Sequence, residues 1–389
     1  MDRRSFLHLI TLAGLYAALP ANAWASPLRR RLVLIELKGG NDGLNTLVPY
    51  SQAAYYQARS NIAIPANTVL PLSHEWGMHP ALTALMPAWT AGDLAWVHGL
   101  GYDQPNRSHF RSIDIWETAS RANQVLDAGW MTQITRTAAV RPGKDWPDAL
   151  VLGSRGGPLE GGKLRLLRLT APATPDLSLL PEQRPVPADH EALRHILAVQ
   201  GDYQETRQVL QKLYHEKNPY AERLKAFSKK PLDRQLALAA DLIVRGAPVP
   251  VFKLDLAGFD THVNQVSRHA TLLRQLGDGL AHFREVLMAA SQWDNTLVVT
   301  YSEFGRRVAE NASGGTDHGT ASAHIMFGGS VRGGFFGQPP SLTDLVASDL
   351  VHTLDFQRWY AAIVSQWFDA STPQAWGAPA FDWLRRAVV

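Results

Sequence analysis

Seven residues in this chain carry the groups needed to hold a metal ion and open an ester: Asp42, Ser108, Asp260, His262, Glu303, Asp317 and His318. All offer oxygen or imidazole nitrogen, donors that suit zinc, manganese or magnesium and not soft-metal chemistry. One or two such divalent ions would neutralise a phosphate-like group and activate a hydroxyl nucleophile. Ser108 is the candidate hydroxyl, weak at neutral pH until a metal lowers its pKa. Asp260 and His262 stand two apart, and in extended chain such residues point the same way and can share an ion. Asn41, Arg107, His109 and Arg306 flank these positions and are the candidates for substrate contact. Each position also has an ordinary reading. Asp42 sits in an Asn-Asp-Gly turn, Ser108 suits a helix N-cap, and Asp317-His318 reads equally as a solvated loop.

The elements that must position these groups follow from hydrophobic period and punctuation. Arg31–Leu37 reads as a central strand running into Gly39-Gly40-Asn41-Asp42-Gly43, where the glycines allow a sharp turn and close approach of a ligand. Asp93–His98 reads as a second strand, followed by a helix over about His109–Thr118 with Phe110, Ile113 and Trp116 on one face. Val249–Leu256 is a third strand, leaving through Gly258-Phe259-Asp260-Thr261-His262. Leu272, Leu276, Leu280, Phe283 and Leu287 recur at helical spacing after it. Thr296–Tyr301 completes a β-α-β unit and stops at Ser302-Glu303-Phe304. A further strand is expected at His324–Gly329, and a last helix near Phe356–Phe368 with Trp359, Ile363 and Trp367 in the core. Polar groups at the carboxyl ends of strands are where an open α/β sheet binds its ligands. The expected fold is therefore α/β: a doubly wound, mostly parallel central sheet with helices on both faces.

The chain has 389 residues, 46% of them hydrophobic, enough for a large buried core. Residues 26–389 read as a single domain, with an elaboration or cap at about 140–250. Lone histidines in that region, His190 and His195 on a helix over His190–Val199, read as surface or core residues. The formal net charge is +3, falling to +2 when residues 1–25 are set aside. That balance makes no case for nucleic acid or an anionic membrane. The absence of cysteine excludes disulfides, thiolate ligands, a cysteine nucleophile and a lipid-anchored cysteine. Arg3-Arg4, an apolar stretch from Leu9 to Leu19 and Ala23-Trp24-Ala25 read as a twin-arginine export leader over residues 1–25. The expected partner during export is the twin-arginine translocase, the expected compartment the periplasm or exterior, and no stable membrane span is expected after cleavage. The twelve tryptophans read as core rather than as sugar-stacking platforms, since most fall on helix faces.

LKGGNDGLNTLVPY, PNRSHFRSIDIWETA, GFDTHVNQ and TLVVTYSEFGRRVAENASGGTDHG resemble the exported bacterial family known as domain of unknown function 1501. That family is in turn similar to the alkaline phosphatase and sulfatase superfamily. The resemblance implies an alkaline-phosphatase-like fold with a two-metal site. It implies that Asp42 holds a metal from the first strand, that Ser108 is the nucleophile opening a helix, and that Asp260, His262 and His318 share one ion. Glu303 falls where the superfamily usually has an Asp-His pair, and Phe304 replaces the histidine. The second ion would lose an imidazole, with Asp317 or Asn41 as substitutes, or a single ion would bind. A strict sulfatase is disfavoured, because Phe110 and Ser112 stand where its modification motif needs Pro and Arg. The implied function is a metal-dependent hydrolase of a small-molecule or glycan phosphate- or sulfate-like ester. The alternative is a non-catalytic envelope protein that keeps the fold for binding or assembly.

Overall fold

The structure, a computed structural model, describes residues 30–134, 146–169 and 208–385. The expected leader and the His190–Val199 helix lie outside these residues. The five expected strands become β1 (Arg31–Lys38), β2 (Leu94–Gly101), β5 (Val251–Ala257), β6 (Thr296–Tyr301) and β7 (Ser322–Phe327), joined by four short strands outside that expectation, β3 (Ala149–Val151), β4 (Leu166–Arg168), β8 (Gly334–Phe336) and β9 (Leu354–Asp355). They form one nine-stranded sheet in the order β8-β2-β7-β6-β1-β5-β3-β4, with β9 also paired to β2. Every pairing is parallel except those of β7, which runs against both β2 and β6. β5 and β6 do not pair with each other; they flank β1 on either side. The longer helices are α1 (His109–Thr118), α2 (Pro231–Val244), α3 (Gln265–Ala289) and α4 (Phe356–Trp367).

Alternation along β1 divides the core. Val33, Ile35 and Leu37 join one cluster with Leu236, Leu276 and Leu280 of α2 and α3. Leu32 and Leu34 join the other with Ile113 and Trp116 of α1 and Trp359 and Ile363 of α4. The sheet is thus mostly parallel and covered by helices on both faces, which is why its strands are apolar throughout rather than alternating. Trp96, Trp116, Trp130, Trp359, Trp367 and Trp383 are all fully buried, the core role expected of them. Three strands of two residues each, Leu47–Val48, Leu70–Pro71 and Gly77–Met78, make a small separate sheet that is too short to leave a period in the sequence. Phe110 departs from expectation. It is 86% exposed, and the inward side of the α1 first turns belongs to Ser112, which bonds the hydroxyl of Tyr102 at 2.7 Å and the carbonyl of Glu303. No helix among the described residues is long and apolar enough to cross a membrane.

The α1/α4 face also buries charge. Lys253 Nζ bonds Glu36 Oε2 at 2.8 Å, with both side chains almost wholly shielded. Nearby Glu117 is pushed up from 4.5 to about 7, first by burial and then by the charge of Glu36, while Arg155 stands 3.7 Å away. Below pH 4.5 the Glu117 carboxyl is neutral in the folded and unfolded chain alike. Between 4.5 and about 7 the unfolded chain gives up this proton while the folded protein keeps it, so stability falls as pH rises through that window. Glu117→Gln removes the penalty. The variant is expected to be more stable than wild type by about 3 kcal/mol at pH 8 and equal to it near pH 4.5, as read from paired melting curves.

Candidate metal centre

The register of the sheet brings the site loops together. Lys38 pairs with Ala257 and Glu36 with Tyr301, so β1, β5 and β6 release their chains side by side at one edge. β2 ends at the same edge and leads to His109. β7, being antiparallel, begins there, just after His318. Gly39 lets the first two exits touch. Its φ is +114°, and a Cβ there would lie 2.3 Å from the Asp260 nitrogen. Its N–H donates to Glu303 Oε1 at 2.9 Å.

Three imidazoles surround the Asp260 carboxylate. His262 Nε2 lies 3.1 Å and His318 Nε2 3.3 Å from Asp260 Oδ1, and His109 Nε2 lies 3.5 Å from Oδ2. The His262 and His318 Nε2 atoms are 3.0 Å apart. On the far side of each ring an acceptor waits: Glu303 Oε1 at 2.8 Å from His109 Nδ1, Asp317 Oδ1 at 3.2 Å from His262 Nδ1, and the Arg107 carbonyl at 2.8 Å from His318 Nδ1. Those acceptors fix each Nδ1–H and leave the Nε2 lone pairs facing inward, the arrangement of metal-ligating histidines. Two imidazole lone pairs 3.0 Å apart repel unless a cation or proton lies between them. His109, Asp260 and His318 place one ligand atom each within 4.8 Å of one another. The donor set therefore fits a divalent ion of the kind imidazole favours.

The electrostatics keep the carboxylates ionised. Burial raises the Asp260 pKa, but the Arg306 guanidinium at 2.7 Å and the neighbouring histidines outweigh it and hold the group at about 2. Burial likewise raises Glu303, and hydrogen bonds from His109 and backbone N–H groups bring it below the ordinary value. Asp317 is lowered chiefly by the hydrogen bond from Asn311.

Other candidate positions have different geometry. Asp42 is completely buried. It caps the short helix Gly43–Thr46 through the Leu44 and Asn45 N–H groups, pairs with Arg59 at 2.6 Å and accepts from Gln265. Its carboxylate is thereby taken up. Asn41, also fully buried, bonds Ser302, Thr46 and His269 rather than facing the imidazoles. Arg306, with a wholly shielded side chain, ties Gly40, Thr316, Phe259 and Asp260 together, so it clamps loops instead of presenting a free charge to solvent. Arg107 pairs with the buried Asp349 and lends its carbonyl to His318. Glu303 and Asp317 stand behind histidines, and His109 faces the carboxylate directly. Ser108 precedes α1 at the N-cap position, is exposed, and makes no side-chain capping bond. Phe304 packs its ring against His109 and His318, with centroids 4.9 and 4.6 Å apart. Arg59 and Asp349 support this arrangement from distant positions, and nothing in their local sequence marks them.

Residues 95–362 match the family described as protein of unknown function DUF1501. The protein belongs to the DUF1501 family. The DUF1501 match includes His109, Asp260, His262, Glu303 and His318 and begins beyond Asp42. No curated protein sequence matches the chain at a significant level. Similar solved structures include Ps i-CgsB in complex with k-i-k-neocarrahexaose, 12% identical with a TM-score of 0.40 over 90% of this chain and 74% of that one. They also include the lipoteichoic acid synthase LtaP from Listeria monocytogenes, 9% identical with a TM-score of 0.31 over 79% of this chain and 66% of that one.

Proposed function

We propose that this DUF1501 protein is an exported, metal-dependent hydrolase of phosphate- or sulfate-like esters. In this reading His109, Asp260, His262 and His318 hold one divalent cation and Ser108 is the nucleophile. The observation that carries it is the convergence of three imidazole Nε2 atoms on one carboxylate, each ring anchored at Nδ1. A bound divalent ion would supply positive charge for the anionic ester and lower the pKa of a nearby hydroxyl. The chain supplies the rest. Ser108 opens a helix of ten residues whose first-turn N–H groups lack intrahelical acceptors and favour an anion. The Ser108 oxygen bonds to phosphorus or sulfur, and the ester bond breaks with its electron pair leaving on the alcohol oxygen. That oxygen takes up a proton, balancing the one the serine gives up. Water then releases the inorganic acid and restores the hydroxyl. Arg306 and Glu303 position Asp260 and His109 for this. The Arg3-Arg4 leader supports export by the twin-arginine pathway and a periplasmic or secreted site of action.

The test is metal analysis of the purified mature protein, followed by a panel of aryl phosphate and sulfate mono- and diesters. One equivalent of metal and turnover of at least one ester are expected. Ser108→Ala should reduce kcat on the order of 1000-fold or more while retaining the metal. Protein without stoichiometric metal, with a melting temperature indifferent to chelators, would instead favour the non-catalytic binding or assembly role to which Phe304 points.

A further inference from the structure

A cavity of about 510 Å3 adjoins the imidazole cluster. The loop after β2 forms one wall, and the hairpin of Leu345–Val346 with Asp349–Leu350 forms another. Phe304 lines it, and the same ring touches His109 and His318, so the cavity and the cluster meet at this side chain. Pro105, Ala321, Val346, Leu350 and Val351 supply much of the remaining lining. Val346 and Val351 are 68% and 42% exposed, apolar surface that an occupant would cover.

The charges on the walls cancel one another. Arg107 pairs with Asp349, Arg307 Nε lies 3.9 Å from the same carboxylate, and His352 faces Asp103 at 3.6 Å. The Thr320 hydroxyl donates to the Leu350 carbonyl. Both arginines face the Asp349 carboxylate, so an anion would have to compete with it for them. The volume lies within the range of pockets that enclose small molecules, roughly 300–1,000 Å3. Ala347 and Ser348 turn the hairpin with φ of +51° and +65°, left-handed positions that usually go to Asn and Gly.

We propose that this cavity receives the uncharged, apolar alcohol portion of the ester, an aryl or branched alkyl group, while its anionic head lies at the imidazole cluster. The assignment rests on the hydrolase reading above and narrows its substrate class to esters of hydrophobic alcohols.

Two measurements test it separately. The first is calorimetric titration of the protein with 2-naphthol, which needs no turnover. Wild type should bind saturably. Val351→Trp, which fills the cavity, and Val346→Glu, an exposed change that leaves the core untouched, should each weaken binding at least about tenfold with metal content unaltered. The second is kcat/KM for 2-naphthyl against phenyl phosphate, whose alcohols are of similar acidity. Wild type should prefer the naphthyl ester at least about tenfold, and both variants should lose the preference. Absence of naphthol binding, or binding that neither variant weakens, overturns the cavity assignment and leaves the hydrolase reading standing. Naphthol binding as expected, with no naphthyl or phenyl phosphate or sulfate mono- or diester hydrolysed by metal-loaded protein, overturns the hydrolase reading and with it the leaving-group role.

Discussion

Replacing His318 by alanine is expected to abolish stoichiometric metal binding, lowering affinity by more than about 100-fold, since it removes a ligand rather than the group behind one. His318 Nε2 is 3.0 Å from that of His262 and 3.3 Å from Asp260, so its loss opens the centre of the cluster. His262→Ala should act similarly. Glu303→Gln and Asp317→Asn sit one shell out, behind His109 and His262, and should cost about 10–100-fold each. Titration of metal-stripped protein with zinc, read by calorimetry and by elemental analysis after desalting, gives the order. Wild type should also melt several degrees higher with metal than after chelation, because a ligand that binds only the native state stabilises it by mass action. In His318→Ala that difference should vanish. Retention of one tightly held ion by His318→Ala would remove the metal centre from consideration.

Asp42→Ala is expected to leave the metal in place and cost about 3–5 kcal/mol of stability, the range for breaking one partner out of a buried ion pair. Both side chains of the Asp42–Arg59 pair are wholly shielded from solvent. Burial pushes the Asp42 pKa up, and the Arg59 guanidinium, His269 and the Asn45 N–H together outweigh it, so the native state depends on the charged form. Arg59 also donates to the Val308 and Arg307 carbonyls at 2.8 Å each and to Asn45 at 2.6 Å, fastening the first strand's exit to the loop that carries Arg306. Arg59→Met should therefore lose a comparable amount. The double variant Asp42→Ala, Arg59→Met should lose less than the two single losses added, because neither charge is then stranded. Urea titrations of the four proteins, with metal content measured on each, decide the matter. Loss of metal from natively folded Asp42→Ala would put Asp42 among the ligands.

Much of the scaffold was legible without coordinates. β6 and α1 begin and end where hydrophobic period and punctuation placed them, and β1, β2, β5 and β7 fall within a few residues. These elements are local in origin: continuous apolar runs for buried parallel strands and apolar residues every third or fourth position for α3. The polar groups at the strand ends were visible for the same reason, since each interrupts an apolar run. The two-residue strands of the small sheet and the pairing of β3 with β4 left weaker traces, because short strands carry too few residues to show alternation.

Sequence alone determined which segments become strands and helices and which residues stand at their ends, because those properties arise within a few positions along the chain. Only the tertiary structure decided what each side chain does there. Asp42 faces an arginine 17 positions away, Glu303 faces a histidine 194 positions away, and Arg306 reaches carbonyls 266 and 47 positions away. Partners that distant are set by the order and register of the strands. A carboxylate beside an imidazole orients it, while the same carboxylate beside a buried guanidinium holds the fold together.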